Sequence, residues 1–259
     1  IDDNHSKIIT GNQIEMEFKK NRQKVITESM KEMKGPKWET FKVPVILADS
    51  KPAQAIETSK KEIERQSGNL QKRIEAVLRY PARYDVVYKT LQRLFRNNCP
   101  LNSTRKDDTR FLIRRLARKR FVLGYPPRKD SDISIGDAIN WEWLVHCASE
   151  RNANVVIVSR DSDYGCKYGS EPIINDWLLE EFKERVNRRR KVTLTDKLTH
   201  AFKLAKVTVR KEEEKDEEEL IENTARRRAT QLSIDDIMKE VEKEIGQELF
   251  RHKKPEDGG

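Results

Sequence analysis

The stretch Asn154-Val155-Val156-Ile157-Val158-Ser159-Arg160-Asp161-Ser162-Asp163-Tyr164-Gly165 joins four consecutive aliphatic β-branched residues to a polar turn carrying two carboxylates two residues apart. The run has the length and composition of a strand covered on both faces, as in a central parallel sheet. In open α/β sheets the working groups lie beyond the carboxyl ends of such strands, which is where Ser159, Asp161 and Asp163 fall. Taken alone, the segment is equally a Ser/Asp turn closing a strand, because both residue types hydrogen-bond nearby backbone. Further acids elsewhere in the chain decide between the two.

Just upstream, Gly136-Asp137-Ala138-Ile139-Asn140-Trp141-Glu142-Trp143-Leu144-Val145-His146-Cys147-Ala148 is amphipathic at helical period, with Ala138, Trp141, Val145 and Ala148 on one face. Asp137 falls in the first turn, where the helix dipole favours negative charge, and an N-terminal capping role is the structural alternative. Before it, Tyr125-Pro126-Pro127-Arg128-Lys129-Asp130 is an extended loop imposed by two prolines. Thr109 to Arg120 forms a compact basic helix bearing Arg110, Arg114, Arg115, Arg118, Lys119 and Arg120. Asn97 to Asp108 is polar and reads as a loop. From Phe41 to about Arg120 the pattern is mostly helical, with Ile63, Leu70, Ile74, Val77 and Leu78 on one face of a charged helix. Nearer the start, Ile8-Ile9-Thr10 is a short strand candidate, and a helix runs from Ile14 to about Met33 carrying Glu17, Phe18 and Arg22.

Downstream, Pro172 to Val186 reads as a helix and Lys191 to Val209 as mixed. The composition changes near residue 205: Lys211 to Glu219 is acidic, Arg226-Arg227-Arg228 is basic, and few core residues accompany either. Ser233-Ile234-Asp235-Asp236 is a capping box opening a helix with Ile234, Ile237, Met238, Val241, Ile245 and Leu249 on one stripe. That stripe must be buried on a partner or on the chain's own core.

Composition narrows the functional class. Of 259 residues, 37% are charged, well above the ~25% of average globular chains, so long helices with solvated faces are expected. The formal net charge of +9 favours an anionic partner such as nucleic acid. Cys99, Cys147 and Cys166 are odd in number and form no CxxC pair, which argues against a disulfide framework or zinc site and for a reducing compartment. His5, His146, His200 and His252 have no metal-ligand or catalytic-triad spacing. No apolar run approaches the ~20 residues of a membrane span and nothing resembles a signal peptide, so the expected location is cytoplasmic.

In order along the chain, Glu17-Phe18 with Arg22, Pro126-Pro127-Arg128-Lys129-Asp130, Gly136-Asp137 with Trp141, and Ser159-Arg160-Asp161-Ser162-Asp163 resemble the motifs of PIN-type nuclease domains. The match is to a PIN-like family of prokaryotic proteins, and it covers about residues 10 to 190. The resemblance implies an α/β fold: a three-layer α/β/α domain with a central parallel sheet over residues 1–205. Within it lies a helical insertion at about 41–120, and a charged helical extension follows at 206–259. Family members begin with a strand ending in an Asp-Thr-Asn-like turn, followed by one or two helices before the Glu-bearing segment. Ile1-Asp2-Asp3-Asn4 is similar to that turn, yet only about a dozen residues separate it from Glu17. The chain also opens without an initiator Met. Either residues are missing and Asp2 is the first family carboxylate, or the strand is absent.

The resemblance implies a metal-dependent endoribonuclease that hydrolyses RNA phosphodiester bonds in single-stranded regions. Asp2, Glu17, Asp137 and Asp161 would hold Mg²⁺ or Mn²⁺ through hard oxygen ligands, with Asp163 in support. Ser159 would position an acid or water. Lys129, Arg114, Arg115 and Arg118 would contact phosphate, and Tyr125 or Tyr164 could stack on bases. Such an enzyme is expected to be the toxic effector of a bacterial toxin or antiviral defence system. Its extension would dock a regulatory protein or form a homo-oligomer. The alternative is a catalytically inactive PIN-like nucleic-acid-binding or assembly scaffold subunit.

Overall fold

The helix foreseen from Gly136 is α6 (Gly136–Arg151), and the rest of its unit is arranged around it. In the computed structural model, which describes residues 1–32, 42–127, 134–169, 171–224 and 226, α6 buries more than the one face its periodicity shows. Ala138, Trp141, Val145 and Ala148 are all buried as expected. On another face, Trp143 and Cys147 join Leu101 and Ile113 in a second apolar cluster. Asn152, in the left-handed conformation that Asn tolerates, ends the helix.

Trp143 also fixes the start of the chain. Its indole N–H donates to the carbonyls of Thr10 (3.0 Å) and Leu101 (3.3 Å). These residues begin or precede two short strands, β1 (Thr10–Gly11) and β2 (Asn102–Ser103), which pair in parallel with Thr10 opposite Asn102. β2 lies where the polar 97–108 segment reads as loop. Its cause is local: the Asn102 side chain donates to the carbonyls of Phe95 (2.7 Å) and Asn97 (3.0 Å), satisfying backbone that the turn leaves open. Asp2 stands in a 3-10 turn, Asp2–Lys7, and β1 follows it.

α1 (Asn12–Glu32) packs on α6 and on α2 (Lys51–Arg79). Ser50 caps α2, and Asp85 caps α4 (Val86–Arg96) by accepting from the Tyr88 N–H at 2.9 Å; the one-turn α3 (Pro81–Tyr84) lies between them. The second oxygen of Asp85 accepts from Arg22 at 2.7 Å, and Arg22 also donates to the Val77 carbonyl. Phe18 packs against Tyr88 and Phe95, each at 6.2 Å between ring centroids. Phe18 and Arg22, two of the motif residues, therefore tie α1 to the helical insertion.

α5 (Thr109–Val122), α6 and α7 (Asp176–Arg185) share a buried ion network. Arg120 donates to Glu142 at 2.9 Å, with side-chain exposures of 4% and 3%. Arg120 also bonds Glu181 and the Pro126 carbonyl, which anchors the Pro-Pro loop. Arg185 closes the network to Glu142 (2.7 Å) and Glu181 (2.6 Å), and the Trp141 indole donates to Glu181. Burial alone would make the Arg185 guanidinium easier to deprotonate. Its bonds to the two carboxylates override this and hold its pKa above the ordinary value.

The residues before α7 are not helical. Glu171–Ile174 forms β5, paired with β4 (Gly165–Tyr168), and Asn175 caps α7 by accepting from the Trp177 N–H. β3 (Val155–Val158) pairs with β6 (Val192–Thr195). Val155 N–H bonds the Lys191 carbonyl and Ser159 N–H bonds the Thr195 carbonyl, both at 2.9 Å. The partners advance together, so the two strands run parallel. β3 is not covered on both faces: Val155 and Ile157 are buried while Val158 is 44% exposed. The parallel sheet is present among the described residues as two separate parallel pairs, β1–β2 and β3–β6.

The chain divides into two units. The first comprises Ile1–Val155, Ser162–Cys166 and Ile174–Val192. The second comprises Val156–Asp161, Lys167–Ile173 and Thr193 onward, and includes α8 (Leu198–Leu204) and helical residues 211–224. The apolar stripe from Ile234 to Leu249 lies outside the described residues. No helix among the described residues is long and apolar enough to cross a membrane.

Candidate active site

In the first unit, the acids meet at the start of α6. Glu17, on the second turn of α1, accepts a hydrogen bond from Gln13 Nε2 at 2.6 Å. Its carboxylate rests against the backbone of Gly136. A Cβ at that position would collide with Glu17 Oε1 and lie 2.8 Å from Gln13 Nε2 and 3.3 Å from Ser134 Oγ. Glycine is required here for close approach. Gly136 N–H donates to Ser134 Oγ at 3.2 Å, and Asp137 follows, half-buried, in the first helical turn. Glu17 by contact and Asp137 by position thus share one helix N-terminus, whose partial positive charge favours both anions.

Asp163 and Tyr164 lie in a 3-10 turn, Ser162–Tyr164, and both are buried. The Tyr164 hydroxyl donates to the Asp137 carbonyl at 3.4 Å, and the Tyr164 carbonyl accepts from Asn175 N–H at 2.9 Å. The turn is thereby fastened to the first turn of α6 and to the cap of α7. Tyr164 is a packing residue, not an open platform for a base.

In the second unit, Ser159, Arg160 and Asp161 continue from the carboxyl end of β3. Ser159 Oγ accepts from Asp161 N–H at 3.1 Å, a local turn bond that leaves the Asp161 carboxylate exposed. The neighbouring strand β6 delivers Asp196 to the same end. Asp196 pairs with Lys167 at 2.7 Å, and its carbonyl accepts from Arg160 Nε at 3.4 Å. Burial would raise the Asp196 pKa, but the Lys167 hydrogen bond and charge outweigh it and hold the carboxyl below its ordinary value. Asp196 is a further acid at this strand end that the motif reading passes over. Its signal was available: Val192-Thr193-Leu194-Thr195-Asp196 repeats the pattern of a β-rich run ending in an acid.

The remaining candidates are dispersed. The Asp2 side chain and Lys129 lie outside the described residues. Arg114, Arg115, Arg118 and Lys119 are exposed on α5, which carries six cations and no acid. Arg120, the sixth, is spent on the buried network, and Arg110 stacks on Phe111 at 4.5 Å. Tyr125 packs on Trp177 at 5.1 Å, with both rings partly exposed.

Every acid in the set offers hard carboxylate oxygen, the donor that suits Mg²⁺ or Mn²⁺ and not the softer metals. The donor chemistry therefore fits a divalent ion. In number the described side chains fall short, since no three of His, Cys, Asp and Glu among them stand close enough to hold one.

The family model described as PIN domain matches residues 1–164 of the chain, a span that ends at Tyr164 and takes in Glu17, Asp137, Asp161 and Asp163. No curated protein and no solved structure matches.

Proposed function

The chain belongs to the PIN-domain family, whose members are generally nucleases, and from that premise we propose that it is a metal-dependent endoribonuclease acting on single-stranded RNA. The observation that carries the proposal is the Glu17 carboxylate packed on Gly136 beside Asp137, two family acids set at one helix N-terminus. Of the four acids this reading names as ligands, Glu17, Asp137, Asp161 and Asp2, the first two share the start of α6 among the described side chains. When bound, Mg²⁺ or Mn²⁺ supplies an activated water and neutralises charge developing on the phosphate.

The chain's own residues divide the rest of the work. Tyr164 fixes the first turn of α6 through the Asp137 carbonyl, and Gln13 orients the Glu17 carboxylate. Asp163 is buried within the turn that Tyr164 fastens, and Ser159 shapes the backbone on which Asp161 is presented. Arg114, Arg115 and Arg118, aided by Lys119, bind the phosphate backbone. None of these four is held by a carboxylate among the described residues, whereas the charges of α2 pair along the helix, as Arg65 with Glu62 and Arg79 with Glu75. Lys129 adds a phosphate contact from the loop that Arg120 anchors at Pro126.

An RNase of this kind suits the toxic effector of a bacterial toxin or antiviral defence system, with residues 206–259 docking a regulator or a second copy. The test is cleavage of single-stranded RNA in Mg²⁺ or Mn²⁺ by the wild type and by Asp161→Asn. Cleavage by the wild type and at least a hundredfold less by the variant is the expected result. Equal rates would remove the catalytic assignment and favour a nucleic-acid-binding scaffold.

A further inference from the structure

Helical residues 211–224 carry eight carboxylates against two lysines. Such a segment is ordinarily a solvated helix face, yet here three of its acids are engaged with the element that leaves the end of β6. Glu217 accepts from the backbone N–H groups of Leu198 (2.7 Å) and Thr199 (2.9 Å) and from the Thr199 hydroxyl (2.6 Å). Glu218 pairs with Lys197 at 2.6 Å, and Glu214 pairs with Lys203 at 2.7 Å. Burial would raise the Glu217 pKa, but its bonds from Thr199 and Leu198, with the Arg160 charge, hold the carboxyl below its ordinary value.

The position of these contacts gives them meaning. Ser159 N–H bonds the Thr195 carbonyl, and Arg160 reaches the Asp196 carbonyl. Lys197 therefore leaves the end of β6 that adjoins the end of β3, from which the Asp161 turn continues. A polyanion approaching Asp161 meets Arg160 and Lys197, with Lys203 further along α8, and both lysines already have carboxylates as partners.

We propose that helix 211–224 is an intramolecular cover whose carboxylates compete with nucleic-acid phosphates for Lys197, which follows the strand end next to the Asp161 turn, and for Lys203 further along α8. This regulation rests on the nucleic-acid reading of the same site. Glu217 is the anchor, since it satisfies two backbone donors. Glu214 and Glu218 are the competing charges. Raised ionic strength weakens both the cover and the phosphate contacts, so the balance shows most clearly at low salt.

The experiment uses the full chain in EDTA and a fluorescent 20-nucleotide single-stranded RNA, so that binding is read without cleavage. Glu214→Gln/Glu218→Gln keeps the Glu217 anchor and should bind about tenfold tighter at low salt. Its log–log salt dependence should steepen by about 1.4, from roughly 0.7 for each of two freed lysines. A control with the same charge change on α2, Glu57→Gln/Glu62→Gln, should bind nearly as the wild type. Adding Lys197→Ala/Lys203→Ala should abolish the gain. No gain, an equal gain in the control, a gain that survives loss of the lysines, or no binding by any form overturns the cover. Failure of the nuclease assignment would show separately, as absence of cleavage in Mg²⁺ or Mn²⁺ while the binding difference persists.

Discussion

Gly136→Ala should disable the site without unfolding the protein. The new methyl would collide with Glu17 Oε1 and press on Gln13 Nε2, 2.8 Å away. Restoring ordinary contact distances requires the carboxylate to retreat by about 1 Å. It would leave the 2.6 Å bond from Gln13 as it moves. A misplacement of that size costs on the order of 10²-fold in rate, equivalent to about 2.7 kcal/mol of transition-state stabilisation. Stability should change little, because alanine is favoured over glycine in a helix by up to about 1 kcal/mol, which offsets the local crowding. The assay is single-turnover cleavage of single-stranded RNA, with thermal unfolding measured in parallel. In a Glu17→Gln background the same substitution should cost almost nothing more, since both changes act through one carboxylate. Wild-type cleavage by Gly136→Ala, or a full additional loss in the Glu17→Gln background, would refute the placement of Glu17 at this helix start.

Arg120→Met should cost about 3–5 kcal/mol in urea unfolding, because it strips a buried partner from Glu142 and releases the Pro126 carbonyl. Arg185→Met, at the more exposed end of the network, should cost less. Arg114→Ala/Arg115→Ala/Arg118→Ala should leave the unfolding midpoint nearly unchanged and flatten the log–log salt dependence of RNA binding by about 2, at roughly 0.7 per lost phosphate contact. Iodoacetamide should label exposed Cys166 quickly and Cys147 only on unfolding, since burial pushes the Cys147 thiol up to about 12 and blocks access. Asp196 and Glu217 have pKa values depressed by their partners, so their stabilisation is complete above about pH 5 and drains as pH falls through the folded values. Asp196→Asn should therefore flatten the acid limb of a stability–pH profile.

Local pattern made some of this structure legible and distance hid the rest. The spacing of Ala138, Trp141, Val145 and Ala148 places α6 correctly, because helical period records which residues face a core. It does not reveal that Trp143 and Cys147 are buried too, since a helix enclosed on several sides has no single stripe. Arg120, Glu142, Glu181 and Arg185 look like surface charges in sequence. Apart from the i,i+4 pair Glu181–Arg185, their pairing depends on contacts 22 to 61 residues apart that no local pattern encodes. The Glu17–Gly136 contact is hidden for the same reason, although Gly136-Asp137 marked the place. β5 was missed because four residues containing Pro172 carry too little signal to separate from the helix that follows. The acidity of 211–224 was plain in the sequence, but its attachment to Lys197, Thr199 and Lys203 was not.

The most direct test of the central claim is cleavage of end-labelled single-stranded RNA by the full chain, titrated with Mn²⁺ and compared with Asp137→Asn. Cleavage should rise with Mn²⁺, vanish in EDTA, and fall at least a hundredfold in the variant. Cleavage that persists in EDTA, or proceeds equally in Asp137→Asn, would contradict a metal-dependent site at the start of α6.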